Sequence, residues 1–117
     1  MRLVLAAAVA GLAIVVAAAA GAAAPKLVGT VGPDSSFTIK LSLNGKKVTK
    51  LNAGKYVVVV KDSATIHDFH LTGPGVNKKT PVTGKGTWTW TVTLKKGKYT
   101  YVCDPHAPMM KGTFTVT

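Results

Sequence analysis

The chain has no glutamate, one cysteine and, past position 2, no arginine. Each shortage removes a class of chemistry. Hydrolysis by paired carboxylates needs two acids in one cleft, whereas the four acids, Asp34, Asp62, Asp68 and Asp104, are scattered through turn-like stretches. Glycine loops of the phosphate-cradling kind are missing. Base reading in nucleic acid leans on arginine, so its absence beyond Arg2 argues against a nucleic-acid partner despite the excess of lysine. The one thiol, Cys103, has no second cysteine to pair with. After residue 24 no helical period occurs.

The first 24 residues, "MRLVLAAAVAGLAIVVAAAAGAAA", carry one positive charge, a long apolar run and then small residues. That is the pattern of a secretory signal peptide, and Ala20 and Ala22 place cleavage near Ala22. The run is also long enough to act as an uncleaved anchor, though its alanine richness makes it only weakly apolar. Removal leaves residues 25–117, enough for one domain with one core. The protein is therefore expected outside the cytoplasm, in the periplasm, the medium or the envelope. The formal charge of the whole chain is +11, and loss of Arg2 makes it +10. Such a surface favours an acidic protein partner, or association with an anionic membrane or cell-envelope polymer; a monomer is expected. In an oxidising compartment thiols normally pair, so a lone one is an intermolecular bridge, a nucleophile or a metal ligand.

The mature part alternates like strands. In "SSFTIKLSL", Phe37, Ile39, Leu41 and Leu43 fall at every second position, which predicts a half-buried strand. Asn44-Gly45 marks a tight hairpin. "KYVVVVKD" reads as a strand buried on both faces, and "GTWTWTVTL" places Trp88, Trp90, Val92 and Leu94 opposite a row of threonines. "YTYVC" and "GTFTVT" form the last pair, the latter with Phe114 and Val116 inward. Leu94, Gly97 and Tyr99 have the spacing of a tyrosine corner. About seven or eight short strands with turn residues between them predict an all-β, antiparallel Greek-key sandwich or barrel. The lysine pairs at 46–47, 78–79 and 95–96 are expected at turns and sheet edges, where charge discourages association.

The residues able to do chemistry are few. Cys103 and His106 could form a nucleophile pair, but no orienting residue or oxyanion donor accompanies them. Metal ligation accounts for more of the residues at once. A thiolate, two imidazoles and a weak thioether suit copper in both oxidation states, and "YVCDPHAPMMKG" supplies Cys103, His106 and either Met109 or Met110. The second imidazole comes from "TIHDFHLTG". If that segment is a strand, His67 shares its side with Phe69 and Leu71, while His70 points the other way.

The ordered pair "HDFH" and "CDPHAPMM", with "LKKGKYTYVC" before the thiol and "MKGTFTV" after it, resembles the cupredoxins, the type 1 copper proteins of the plastocyanin, azurin and amicyanin kind. The resemblance covers residues 26–117. It implies a copper site made by His67, Cys103, His106 and Met110, and a one-electron carrier serving a redox partner. It also implies that no substrate is transformed. Asp68 stands where the family usually has asparagine. The loop spacing alone admits Met109, but the following "MKG" aligns better with Met110. Two other readings stay open: copper sequestration or delivery, and a metal-free binding module.

Overall fold

The computed structural model describes residues 23–117. The apolar leader, with its expected cleavage near Ala22, lies outside the described residues. Ten strands form two five-stranded sheets. They are β1 (Lys26–Val31), β2 (Ile39–Leu43), β3 (Lys46–Lys47), β4 (Lys50–Leu51), β5 (Gly54–Asp62), β6 (His70–Gly73), β7 (Val76–Lys79), β8 (Gly86–Leu94), β9 (Gly97–Val102) and β10 (Lys111–Val116). One sheet runs β3-β2-β1-β5-β8 and the other β4-β10-β9-β6-β7. The all-β expectation holds. The strands exceed seven or eight because β3 and β4 are two-residue pieces. Most pairings are antiparallel, yet β1 runs parallel to β5 and β4 parallel to β10.

Local chemistry explains most of these elements. Asn44 and Gly45 both take positive φ, as a tight two-residue hairpin between β2 and β3 requires. Along β8, Val92 and Leu94 are buried and Trp88 and Trp90 pack partly against the core, while the threonines face water. Valines in β5 alternate: Val58 and Val60 are buried, Val57 and Val59 only half so. The expectation of burial on both faces is thus corrected, because only one face of this sheet meets the other sheet. Lysines 46–47 and 78–79 lie on β3 and β7, each an outer strand of its sheet.

The tyrosine corner is present. Tyr99 Oη donates to the Pro74 carbonyl at 2.7 Å and accepts the Lys95 N–H at 2.9 Å. It ties the β8–β9 turn to the β6–β7 turn. The inner faces meet over Leu27, Val31, Leu41, Val58, Phe69, Leu71, Tyr99 and Phe114, all buried. Phe69 stacks on Tyr101 with centroids 5.6 Å apart, and Tyr99 stacks on Phe114 at 5.2 Å. Burying each such ring contributes about 1.5–3 kcal/mol. This core fixes β9, whose end carries the thiol.

Candidate metal centre

Cys103 follows β9 directly and is fully buried. A single turn of 3₁₀ helix, Asp104–His106, carries the chain away, helped by Pro105, whose φ suits the start of a helical turn. The loop closes on itself: His106 N–H donates to the Cys103 carbonyl at 3.1 Å, Met110 N–H to the His106 carbonyl at 3.1 Å, and Cys103 N–H to the Met110 carbonyl at 3.0 Å. These bonds hold Cys103, His106 and Met110 at the base of one loop, between two paired strands. Met110 is 1% exposed and Met109 72%.

His67 comes from the other side, between β5 and β6. The expectation of a strand through Thr65–Leu71 is corrected here: residues 65–66 form a turn and β6 begins only at His70. The sidedness nonetheless survives, with His67, Phe69 and Leu71 buried and His70 half-exposed. Asp68, also buried, breaks the alternation. His67 Nε2–H donates to the Ser36 carbonyl at 3.1 Å. This leaves Nδ1 with its lone pair free to bind a metal, the usual way a neighbouring acceptor sets an imidazole's tautomer. A Cβ at Gly32, whose φ is +57°, would overlap the His67 ring. Glycine there is needed both for the backbone and for the space.

Three donor atoms converge. His67 Nδ1 lies 3.6 Å from Cys103 Sγ, His106 Nδ1 lies 3.4 Å from the same sulfur, and the two nitrogens are 3.1 Å apart. Bonds of about 2.0–2.3 Å to nitrogen and sulfur, meeting at trigonal angles, would separate such donors by about 3.5 Å. The residues therefore fit a single metal ion. Burial pushes the Cys103 thiol up, while backbone N–H groups of Asp68 and His106 pull it down. A bound cation reverses the balance, because a coordinating thiol loses its proton.

Around the triangle lies a layer of bracing groups. Asp68 Oδ1 accepts the Asp104 N–H at 2.6 Å, tying the His67 segment to the cysteine loop. Burial and the nearby Asp104 carboxyl push the Asp68 pKa up to about 6. His70 stays outside the triangle: its Nδ1–H donates to Asp104 Oδ2 at 2.9 Å and its Nε2–H to Asn77 Oδ1 at 2.6 Å.

Phe37 departs from its expected place. Instead of entering the core with Ile39 and Leu41, it lies ahead of β2, 47% exposed. Its ring sits edge-on to His67 and His106, with centroids 5.4 and 4.8 Å away. Sequence reasoning missed this residue and the Ser36 carbonyl. The "GPDSS" run before Phe37 was the available signal, since it bends the chain through positive φ at Gly32, Asp34 and Ser35 and ends the alternation early. The Ser36 contact is made by backbone, which no side-chain type reveals.

A two-sheet sandwich whose end gathers one sulfur and two nitrogens, the His67 and Cys103 donors buried and His106 half-exposed, defines a protein built to hold a soft-to-borderline metal ion. The sequence model of the copper binding proteins of the plastocyanin/azurin family matches residues 33–117, and the chain belongs to that family. Copper is accordingly its cofactor. Solved structures agree on the fold. Rusticyanin from Thiobacillus ferrooxidans is 19% identical with a TM-score of 0.52, covering 79% of this chain and 76% of that one. A methionine-to-glutamine mutant of rusticyanin gives 18% identity and a TM-score of 0.59 over the same shares. Auracyanin A, a "blue" copper protein from the green thermophilic photosynthetic bacterium Chloroflexus aurantiacus, gives 18% and 0.55, covering 81% of this chain and all of that one. No curated protein sequence matches the chain.

Proposed function

We propose that the protein is an exported, monomeric one-electron carrier, in which His67, Cys103 and His106 would hold copper strongly and Met110 would be its weak fourth ligand. The observation that supports this most is the triangle itself. One thiol sulfur and two imidazole nitrogens from two separate loops already stand 3.1–3.6 Å apart. Copper, when bound, supplies exchange of a single electron between two oxidation states. The chain's part is to keep the donors still. Hydrogen bonds to Ser36, Met110 and Asp68 fix both loops, so little ligand movement accompanies the change of charge.

Met110 fits the role of weak fourth ligand because it is buried and its backbone pairs with Cys103, whereas Met109 faces solvent. Met109, Phe37 and Ile66 are the large apolar side chains exposed among the described residues. Phe37 touches His106, and Met109 shares the His106 loop. Together they give a partner a dry approach to the half-exposed imidazole. The partner is an acidic redox protein, chosen by the lysine-rich surface.

Delivery of copper is the competing use, and burial of Cys103 and His67 favours the carrier, since release would require the loops to part. Film voltammetry of the copper-loaded protein, with and without a cuprous chelator, separates the two. A carrier gives a reversible one-electron wave that the chelator leaves intact, and Met110→Leu raises its potential while Met109→Leu changes it little. Rapid loss of the wave to the chelator on reduction would favour delivery.

A further inference from the structure

The two short strands leave a gap in the sandwich. β3 pairs only with Ser42 and Leu43, and β4 only with Thr115 and Val116. The first half of β2 and the first half of β10 therefore face each other without a covering strand, and a cleft of about 540 Å³ opens between them. Another strand does not fit, since β2 and β10 approach within 8 Å between Cα atoms, while an inserted strand needs two spacings of about 4.8 Å each. The volume instead suits a small molecule.

Its lining has one sign of charge. Lys40, Lys47 and Lys111 come from three different strands, and none of the chain's four aspartates borders the cleft. Ile39 and Leu41 give it an apolar side. Tyr101 supplies the specific group. Of the three tyrosines, Tyr56 donates to the Asn52 carbonyl and Tyr99 to the Pro74 carbonyl, but the Tyr101 hydroxyl has no partner among the described residues. The residue is 2% exposed. Its hydroxyl lies over Gly112, where a Cβ would collide with it, and Gly112 is part of the cleft wall. A phenylalanine would serve equally in the stack on Phe69, so packing gives no reason for the oxygen. The oxygen itself is not sealed from solvent, so it opens on the cleft and can donate to an acceptor bound there. Burial also pushes its pKa up, which keeps it a donor.

We infer that this cleft binds a phosphate-type oxyanion, with Lys40, Lys47 and Lys111 neutralising its charge and the Tyr101 hydroxyl donating to one oxygen. Ile39 and Leu41 accommodate whatever apolar group the phosphate carries. Both a free phosphate and a phospholipid headgroup have this chemistry.

The test is a titration of ¹⁵N-labelled, copper(I)-loaded protein with inorganic phosphate, compared with sodium chloride at equal ionic strength. Saturable amide shifts should be confined to residues 39–47 and 101–112. Tyr101→Phe, which keeps the ring stack, should weaken binding severalfold, as should Lys40→Gln, while Lys95→Gln on a remote turn should not. Shifts spread over every lysine-bearing turn, or a Tyr101→Phe variant that titrates like the wild type, would mean an adventitious ion only and would overturn the proposal. Sedimentation with phosphatidylglycerol vesicles then identifies the source. Loss of vesicle binding in Tyr101→Phe points to the headgroup; unchanged vesicle binding alongside weakened phosphate binding points to the free ion.

Discussion

Phe37 shows how much one side chain outside the sheets can govern. Its ring packs edge-on against both imidazoles, and apolar bulk beside the donors leaves less room for water, which solvates the more highly charged copper state less well. Phe37→Ala should therefore lower the reduction potential, and Phe37→Leu, which keeps apolar bulk, should largely preserve it. Spectropotentiometric titration of the three proteins checks this; equal potentials in all of them would remove Phe37 from the account. The same residue marks a limit of reading by period. Alternation from Ile39 to Leu43 was legible and correct, but extending it back to Phe37 failed because a turn ends it first. His67 was legible for a different reason. Its burial alongside Phe69 and Leu71 persists even where the backbone leaves the strand, because the hydrophobic side still faces the core.

At the level of elements, β9 runs from the tyrosine corner at one end to the thiol at the other, and each end can be tested separately. Tyr99→Phe removes two hydrogen bonds and should cost about 1–2 kcal/mol in chemical unfolding, with the copper spectrum unchanged. A spectral change would show that the corner also shapes the site. The loop after β9 is pinned from outside by His70 and Asp104. Burial opposes the charge on His70, yet its Asn77 and Asp104 partners outweigh it, and its pKa lies above the ordinary value. Burial likewise raises Asp104, but Asp68 and His70 bring it below the usual carboxylate range.

The signs follow directly. His70 contributes stability that is complete below the ordinary histidine pKa and is lost as pH rises through the raised one. Asp104 contributes stability that is complete above the ordinary carboxylate pKa and is lost as pH falls through the lowered one. His70→Gln should hence lower the melting temperature most between these limits, and the difference from wild type should narrow on the alkaline side. A constant difference from pH 5 to pH 9 would contradict the pairing. The strands themselves were largely legible from threonine–apolar alternation and Asn-Gly turns. The parallel pairings β1–β5 and β4–β10 were not, since they join segments far apart in sequence and leave no local periodic trace.

For the molecule as a whole, charge and metal set the behaviour. With four acids against fifteen basic residues, attraction to an acidic redox partner is screened beyond about 8–10 Å at ordinary salt. Stopped-flow electron transfer to such a partner should slow steeply as salt rises, and transfer to a basic partner should not. Matching, flat salt profiles would show that the lysines do not steer encounter. The proposed ligand set was legible in the sequence because Cys103, His106 and Met110 share one loop; the bracing around it was not, because much of it is backbone. The central claim is that Cys103 binds copper as a thiolate within the His67–His106 triangle. Its most direct measurement is the visible spectrum after adding Cu(II) to the purified protein and to Cys103→Ser. The account predicts an intense blue or green charge-transfer band in the wild type and none in the variant. A colourless wild type, or a variant that keeps the band, would contradict it.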